Sequence, residues 1–462
     1  MRAVRIWVSG IIWASSSAAI ASRAMAQAEG TSPDSASLQR RVDELDQQVR
    51  VLQRLRDLEA DSIKTASKDK VSAMAGAKDG FTIKSADGKY AVRLKGLLQT
   101  DGRFFLSDKA VPVTNTFFLR RARPILEATI GKYLEMRLMP DFGQGTTVLF
   151  DAYTDVKVSP AFAVRVGKFK APIDLERLQS ASDIVFAERG MATNLAPNRD
   201  IGLQLSGDLD GGLVAYQAGV FNGVPDLGNG DGDVSDAKDF IGRIFLRPLK
   251  AGAAKGFGVG IAASTGIERG TPAASQLAGY RTAGQQTWFR YISSTTTPAN
   301  NVFADGRRRR LAPQAYFYTG PLGLHGEYIN SWQVVGRAGF PSTRLKHSAW
   351  EATGSFFLTG EKNSFRSATP RKPFDPKAGT FGAIELAARY GQLSIDDAAF
   401  PSFANPASTP SKARAWAIGI NWYLARSIKA VVDYEHTTFT GGTATGDREA
   451  ESFVATRLQY SF

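Results

Sequence analysis

The sequence predicts an all-β fold, a sixteen-stranded antiparallel transmembrane β-barrel preceded by a short α-helical coiled-coil segment. Two observations carry that prediction. From about Gly80 onward, apolar and polar residues alternate with period two, so each strand would present one apolar and one wet side. The connections alternate as well, tight turns with longer loops, as expected of a barrel with hairpins at one rim and elaborated loops at the other. Hydropathy agrees. A mean of −0.19 excludes several apolar helical spans, whereas a barrel needs only every second strand residue to be apolar. A chain of 462 residues would ordinarily suggest two or three domains, but barrels run large as single units.

Residues 1–26 read as an export signal. Arg2 and Arg5 supply the charged start, Ile6 to Ile20 the apolar middle, and Ala24-Met25-Ala26 the small-x-small cleavage site. The apolar stretch is interrupted at Ser15 to Ser17 and is short for a span. Residues 27–79 are expected to hold a periplasmic helix and a tether. Leu38, Val42, Leu45, Val49 and Leu52 follow the 4-3-4-3 spacing of a coiled-coil seam, which breaks at Arg56 and Glu59. Two heptads do not hold alone. Two readings stand: a helix stabilised when barrels associate as a homotrimer, or an amphipathic linker helix. Residues 61–79 read as a flexible tether.

Residues 80–462 are expected to form the barrel. In the first strand Val92, Leu94, Gly96, Leu98, Gly102 and Phe104 fall on one side, and Arg93, Lys95, Gln99, Asp101 and Arg103 on the other. Leu134, Met136 and Leu138 likewise oppose Glu135 and Arg137. Phe150, Ala152, Thr154, Val156 and Val158 oppose Asp151, Tyr153, Asp155 and Lys157. The polar side would face water inside and the apolar side lipid. Tight turns are expected at Gly131-Lys132, Ser159-Pro160, Gly207 to Gly211, Gly320-Pro321 and Ala425-Arg426. Longer loops are expected at 143–147, 171–199, 222–238, 266–308, 332–346, 391–412 and 438–450, the short side being periplasmic. Residues 361–379 are long where a short turn is due, so either a periplasmic flap sits there or the register slips.

Charge narrows the function. Removing Arg2, Arg5 and Arg23 with the export signal takes the formal charge from +13 to +10, an excess that favours an anionic partner. The basic residues are spread along strands and not gathered in an aromatic-rich patch, which argues against nucleic acid. Between Lys89 and Arg123 there are eight Lys/Arg against Asp101 and Asp108. Arg121 and Arg123 alternate with Ala122 and share a side with Glu127, so both are expected in the lumen together with Arg93, Lys95 and Arg103. Rings of Lys and Arg are how anion pores select, and the planar arginine fork fits phosphate. The same residues would also serve to solvate the wide lumen of a general porin.

The stretch from Val164 to Gly207 organises the chain. Two strand-like segments bracket about thirty residues, too long for a hairpin turn and too polar for a core. The economical reading is a loop at about 171–199 folded into the lumen. It brings Lys168, Lys170, Arg177, Arg189 and Arg199, with Arg165, against Asp174, Glu176, Asp183 and Glu188, so its local charge is only +2. Arg177 and Arg189 are open to two roles: facing an anion, or pairing with the loop's own acids.

The motifs RVGKFKAP (Arg165 to Pro172), LERLQS (Leu175 to Ser180), FAER (Phe186 to Arg189) and PNRDIGLQLSGDL (Pro197 to Leu209) lie in or beside that stretch. FLRRARP (Phe118 to Pro124), GVFNG (Gly219 to Gly223), LTGE (Leu358 to Glu361), GINWYL (Gly419 to Leu424) and RLQYSF (Arg457 to Phe462) lie outside it. In this order, over roughly residues 80–462, the set resembles the phosphate-selective porins of the O and P type. The resemblance implies a channel in the bacterial outer membrane, contact with its lipid, a constriction lined by the inward loop, and small anions, phosphate above all, as the permeant species. It also implies that the terminal aromatic, Phe462, serves barrel assembly. No cofactor or metal is implied.

Other chemistry finds little support. There is no cysteine. A barrel hydrolase would need a paired Ser and His on adjacent strands, and His325, His347 and His436 are each isolated in sequence, so an enzyme is not expected. Asn229-Gly-Asp231-Gly-Asp233 has the flavour of a calcium loop without its spacing or closing Glu. The tetra-arginine run 307–310 is expected at the end of the largest loop, where it would funnel anions or simply be solvated. A structural outer-membrane protein tethered by its helix is the alternative from another class.

Overall fold

The computed structural model describes residues 35–68, 71–76, 80–107, 113–233, 235–249, 251–252 and 255–462. The expected export signal, residues 1–26, lies outside the described residues. A single helix spans Ser35–Lys68. Leu38, Val42, Leu45, Val49 and Leu52 are all exposed along it, as are Leu55 and Leu58 beside Arg56 and Glu59, where the seam is expected to break. The helix therefore extends past the two heptads. The expected tether also carries structure: Ser72–Gly76 pairs with Gly80–Lys84, Ser72 opposite Lys84. Backbone pairing there overrides the small, turn-prone side chains that suggest a tether.

Sixteen strands close into an antiparallel barrel. The first five are β1 (Tyr90–Ser107), β2 (Thr116–Ile130), β3 (Leu134–Asp141), β4 (Val148–Ser159) and β5 (Phe162–Phe169). After the long insertion come β6 (Asp200–Leu209), β7 (Val214–Phe221), β8 (Asp239–Leu246) and β9 (Phe257–Arg269). The remainder are β10 (Phe303–Thr319), β11 (Leu322–Arg337), β12 (Phe340–Phe357), β13 (Ala383–Ser394), β14 (Pro410–Ala425), β15 (Ile428–Thr443) and β16 (Glu451–Ser461). Each pairs with its neighbour in sequence, and β16 closes on β1 with Leu458 opposite Thr100. Closure leaves no free edge, the condition for crossing hydrocarbon. Phe462 exchanges both backbone hydrogen bonds with Gly96 at 3.1 Å, and its ring occupies the place a Cβ on Gly96 would need.

The alternation holds as read from the sequence over most of the wall, with exposed Val92, Leu94 and Leu98 outside and buried Gln99 and Asp101 inside. Two segments differ from expectation, and a third, left open between two readings, is decided. The loop expected at 332–346 is strand: β11 and β12 run through to a two-residue turn at Ala338-Gly339, with Arg337 paired directly to Phe340. Gly339 adopts φ +79°, which glycine allows without strain. The run 307–310 lies within β10 and not in a loop, so alternation sends Arg308 and Arg310 inward and Arg307 and Arg309 outward. Finally, the β12–β13 connection, residues 358–382, is long while the β12–β13 register is continuous from Ser348/Ser394 to Phe357/Glu385. The register does not slip. The segment folds back to the mouth, where Phe365 and Ser367 hydrogen-bond Gln179, Ser182 and Asp183 of the inward loop.

The loop-bearing half of the lumen is filled. Phe169, Ile173, Met191, Leu195, Phe221, Trp288, Phe289, Ile329 and Phe403 form one buried apolar cluster in which the inward loop packs against the connections 270–302 and 395–409. The packed sector leaves open space on its other side, against β1–β5 with Gln204 of β6, Gln217 of β7, Lys429 of β15 and Gln459 of β16.

Candidate functional site

The inward loop leaves β5 at Phe169 and returns at Asp200. A one-turn helix, Leu175–Leu178, is capped by Asp174, whose carboxylate accepts from the Arg177 amide at 2.6 Å. A loop crossing a barrel must satisfy its own backbone polar groups, and here lumen-facing side chains do so. Glu327 of β11 accepts from the amides of Leu175 (2.8 Å) and Glu176 (3.1 Å), Glu351 of β12 from Ala192 (3.2 Å), and Asp433 of β15 from Ala187 (2.5 Å). In return Gln99, Gln459 and Lys429 donate to the carbonyls of Ala181 (3.0 Å), Ser182 (3.1 Å) and Ile184 (2.9 Å). The loop is thus tied to both halves of the wall.

Two cavities lie on either side of it. One, of about 500 Å³, opens toward the short-turn rim and is lined by Lys95, Arg137, Arg165, Phe462 and Arg366 among others. The second, of about 430 Å³, opens toward the long loops and is lined by Arg120, Arg121, Arg177, Arg189 and Arg281, with Glu188 and Asp226 as its only acidic residues among those described. Arg123, Lys170, Ala181 and Arg199 line both. The path narrows between these three cations and the Ala181 turn.

The acids are distributed in a way that the local charge of +2 conceals. Glu188 turns to the wall, where it takes a two-pronged ion pair from Arg120 and lies within 3.8 Å of Arg103, 3.7 Å of Arg121 and 3.7 Å of Arg457. Burial alone would raise its carboxyl, but the Arg120 and Arg121 charges hold it well below the usual carboxylate range. Glu176 accepts from the Gly190 amide at 2.8 Å and pairs with Arg389 of β13 at 3.7 Å. Arg177 and Arg189 consequently find backbone oxygens in place of the loop's acids. Arg177 donates to Thr193 O (2.7 Å), and Arg189 donates to Glu176 O (3.1 Å) and Gln179 O (2.8 Å). Lys170 likewise donates to Gln179 O at 2.6 Å. Among the described residues none of these three cations has a carboxylate ion-pair partner.

Mutual repulsion is correspondingly strong. Burial, then the charges of Arg199 and Arg189, pull the Lys170 ammonium well below the usual lysine value, tempered by the part of its surface that still meets cavity water. Burial and the neighbouring Arg177 lower Arg189 to about 9, and burial lowers Arg199 to about 10 despite Asp151, so both stay charged at neutral pH. Arg199 shares Asp151 with Arg137 (3.1 and 3.2 Å) and stacks over Phe150 at 4.6 Å.

The other expected residues divide. Arg123 pairs with Asp141 at 2.7 Å and, like Arg199, lies over Phe150, at 4.5 Å. Arg121 donates to Gln99 at 2.6 Å, and Arg103 stacks on Phe118 at 5.0 Å. Lys95 pairs with Glu127 at 2.9 Å near the short-turn rim, and Arg93 stands opposite Glu127 in the register but lines neither cavity. Lys168 departs from expectation. It sits on the side of β5 that carries Val164 and Val166, opposite Arg165 and Phe169, and its ammonium is bonded by Asp231 of the 222–238 loop. It lines neither cavity, because one step of alternation turns it outward while the chain beyond the strand brings Lys170 in.

Sequence reasoning missed two residues of the site. Alternation assigns Arg120 and Phe150 to the outer face. In the structure the β1–β2 register skips Arg120 between Gln99/Arg121 and Thr100/Leu119, and the β3–β4 register skips Phe150 between Met139/Asp151 and Pro140/Leu149. Each bulge turns its extra residue into the lumen. The acid in the calcium-like stretch is spent on lysines, Asp231 on Lys168 and Asp233 on Lys238. Contrary to expectation, a Ser–His pair does form across β15 and β16, His436 Nδ1 lying 2.7 Å from Ser452 Oγ. Among the described residues no carboxylate hydrogen-bonds the other ring nitrogen, so the third member of a triad is missing.

A family model described as phosphate-selective porin O and P matches residues 92–462. Porin O of Pseudomonas aeruginosa is 24% identical over 428 residues, spanning 86% of this chain and 94% of that protein. Among solved structures, the outer membrane channel DcaP of Acinetobacter baumannii superposes with a TM-score of 0.52 at 12% identity, covering 82% of this chain and 99% of its own. OmpT of Vibrio cholerae, expressed in the outer membrane, gives 0.51 at 12% identity over 81% of this chain and 98% of its own. At that identity the two structures speak for the fold alone. The family match runs from the first barrel strand to the last residue, and the chain belongs to the phosphate-selective porin O and P family.

Proposed function

We propose that the narrow zone formed by Arg123, Lys170 and Arg199, with Arg177 and Arg189 behind it, is where this outer-membrane anion channel binds phosphate and its short polymers. Diffusion is passive, down the anion's own gradient. The observation that carries this reading is the spent acid: Glu176 and Glu188 are held by wall arginines, so Lys170, Arg177 and Arg189 retain charge and donors for a passing anion. An anion entering the zone sheds water and needs both in return. Arginine forks suit the tetrahedral oxygens of phosphate, and Lys170 adds a compact charge.

The test is the reversal potential of single channels in a planar bilayer under a salt gradient, followed by titration of phosphate against chloride current. Strong anion preference with phosphate block at low concentration is expected. Replacing Lys170, Arg199 or Arg123 singly with Gln should each weaken block about tenfold, the effect of losing one charged contact of about 1.5 kcal/mol. Lys168→Gln should leave block unchanged. Weak anion preference without phosphate block would reduce the site to the mixed-charge lining of a general porin.

We further propose that the barrel assembles as a homotrimer through the outer face of β1–β3. Val92, Leu94, Leu98, Leu106, Phe117 and Leu119 are exposed there, and the outward positions of these strands carry no charged residue. An OmpT structure of Vibrio cholerae is described as a trimer form.

A further inference from the structure

The outer surface of β9–β14 carries cations that the lumen does not use. Arg269, Arg307, Arg309, Arg344 and Lys346 are exposed, and Lys412 is half-exposed, all at outward positions near the long-loop ends of their strands. Among the described residues none has a carboxylate ion-pair partner, whereas the inward arginines of the same strands do. Arg308 pairs with Asp239 and Glu268, Arg310 with Asp226, and Arg389 with Glu435. Two of the acids on the adjoining segments, Asp305 and Asp396, are occupied otherwise. Asp305 accepts from the Ser342 hydroxyl, and Asp396 accepts from the amides of Lys346 (2.6 Å) and Ala398 (3.0 Å).

The level of these cations is fixed by what lies beneath them. Tyr328, Trp350, Tyr390 and Trp416 form a row of outward aromatics across β11–β14, Tyr328 opposite Trp350 and Tyr390 opposite Trp416. The Trp350 and Tyr390 rings lie 5.5 Å apart. Such a belt marks the headgroup level of a membrane. Lys346 is four residues beyond Trp350, and Lys412 four beyond Trp416, which at about 3.4 Å per residue is roughly 14 Å toward the long loops. The register aligns Arg309 with Trp332 and Trp332 with Lys346, so the two cations flank one ring at a separation of about 10 Å, two strand spacings. Lys346 Nζ lies 5.7 Å from the Trp332 centroid. Cations on a lipid-facing strand are costly at mid-bilayer and tolerated at the interface. Here they stand beyond the aromatic row and clear of the bilayer centre, on the long-loop side only, and no described carboxylate pairs with them.

We propose that this patch binds the phosphate groups of an anionic glycolipid in the outer leaflet, with Arg307, Arg309, Arg344 and Lys346 as its centre. Guanidinium forks grip phosphate oxygens, and Trp332 and the aromatic row below offer apolar contact to the acyl chains. The lipid would hold the β9–β14 side of each barrel in the membrane while the cation-free β1–β3 face is left for association.

Native mass spectrometry of the full-length protein in detergent, titrated with bisphosphorylated lipid A and with its dephosphorylated counterpart, tests this. Wild type should bind the phosphorylated lipid at least about tenfold more tightly. R307Q/R309Q and R344Q/K346Q should each lose part of that preference, and the quadruple variant all of it, with single-channel conductance and anion selectivity unchanged. Equal affinity of wild type for the two lipids, or undiminished binding by a quadruple variant that still conducts, overturns the proposal. Conductance is read on the same variants, so failure of the lipid site is distinguishable from failure of the channel.

Discussion

Lys170 is the residue on which the pore's response to pH should depend. Its ammonium is depressed by burial and by Arg199 and Arg189, so it sheds its proton below the usual lysine range, while Arg189, lowered to about 9, and Arg199, lowered to about 10, keep theirs at neutral pH. Anion preference should therefore begin to fall as pH rises above neutral, while Arg189 and Arg199 are still charged, and lowering the pH should restore it. Chloride is the carrier to use, because phosphate itself titrates. Loss of folding would not mimic the effect. A lysine whose folded value is depressed opposes folding while charged, so raising pH through that value relieves the cost and stability rises. Lys170→Arg keeps the charge and should flatten the profile. A wild-type reversal potential that stays constant from neutral pH to the lysine range would show that Lys170 contributes nothing to selection. At this scale the sequence is legible in residue type but not in pairing. A local charge of +2 for 165–199 gives no hint that Glu188 is drawn to Arg120 or Glu176 to Arg389, since those partners sit in other strands.

The inward loop shows why elements differ in how far they can be read. Period-two patterning is local, so the sixteen strands, the tight turns and the position of the insertion are visible in the sequence. The loop's seat is not local: Gln459 reaches Ser182 across 277 residues of chain, and Asp433 reaches Ala187 across 246. Bulges fall between the two cases. They shift alternation by one residue, and nothing about Arg120 or Phe150 announces that they are skipped. The 332–346 segment reads as loop because Ser331, Gly336, Arg337 and Gly339 interrupt its apolar pattern, but long strands rising beyond the membrane no longer need that pattern. The anchors carry a prediction. Asp433 accepts from Ala187 and lines neither cavity, so Asp433→Ala should loosen the loop without touching the path. Losing the acceptor leaves the buried Ala187 amide unpaired, which costs about 1–3 kcal/mol, enough to populate a displaced loop. Single-channel conductance should rise, with more open-channel noise and a smaller anion-to-cation permeability ratio. Unchanged conductance would mean that Glu327, Glu351 and Lys429 hold the loop without it.

Over the whole molecule the outer surface is divided into two kinds of face. β9–β14 carry an aromatic row and a cationic band, both suited to a headgroup interface. On β1–β3 the apolar surface continues to the long-loop end, where Phe104 and Phe117 pair edge to face at 5.4 Å and Leu106 and Leu119 stand exposed. β1–β3 carry outward aromatics, Tyr90, Phe104 and Phe117, but no outward cation, so the face without the cationic band is the one suited to a neighbouring barrel. Phe117 lies 72% exposed near the centre of that end. Phe117→Lys would place a charge in an apolar contact repeated around the assembly, with no carboxylate on the outward positions of these strands to receive it. The variant should run as a monomer on unheated gels while wild type runs as an oligomer. It should retain a heat-modifiable barrel and a single-channel anion preference equal to wild type, because the path lies within each barrel. Should Phe117→Lys stay fully oligomeric while Arg309→Phe dissociates, association would have to be reassigned to β9–β14 and the lipid proposal would fall with it.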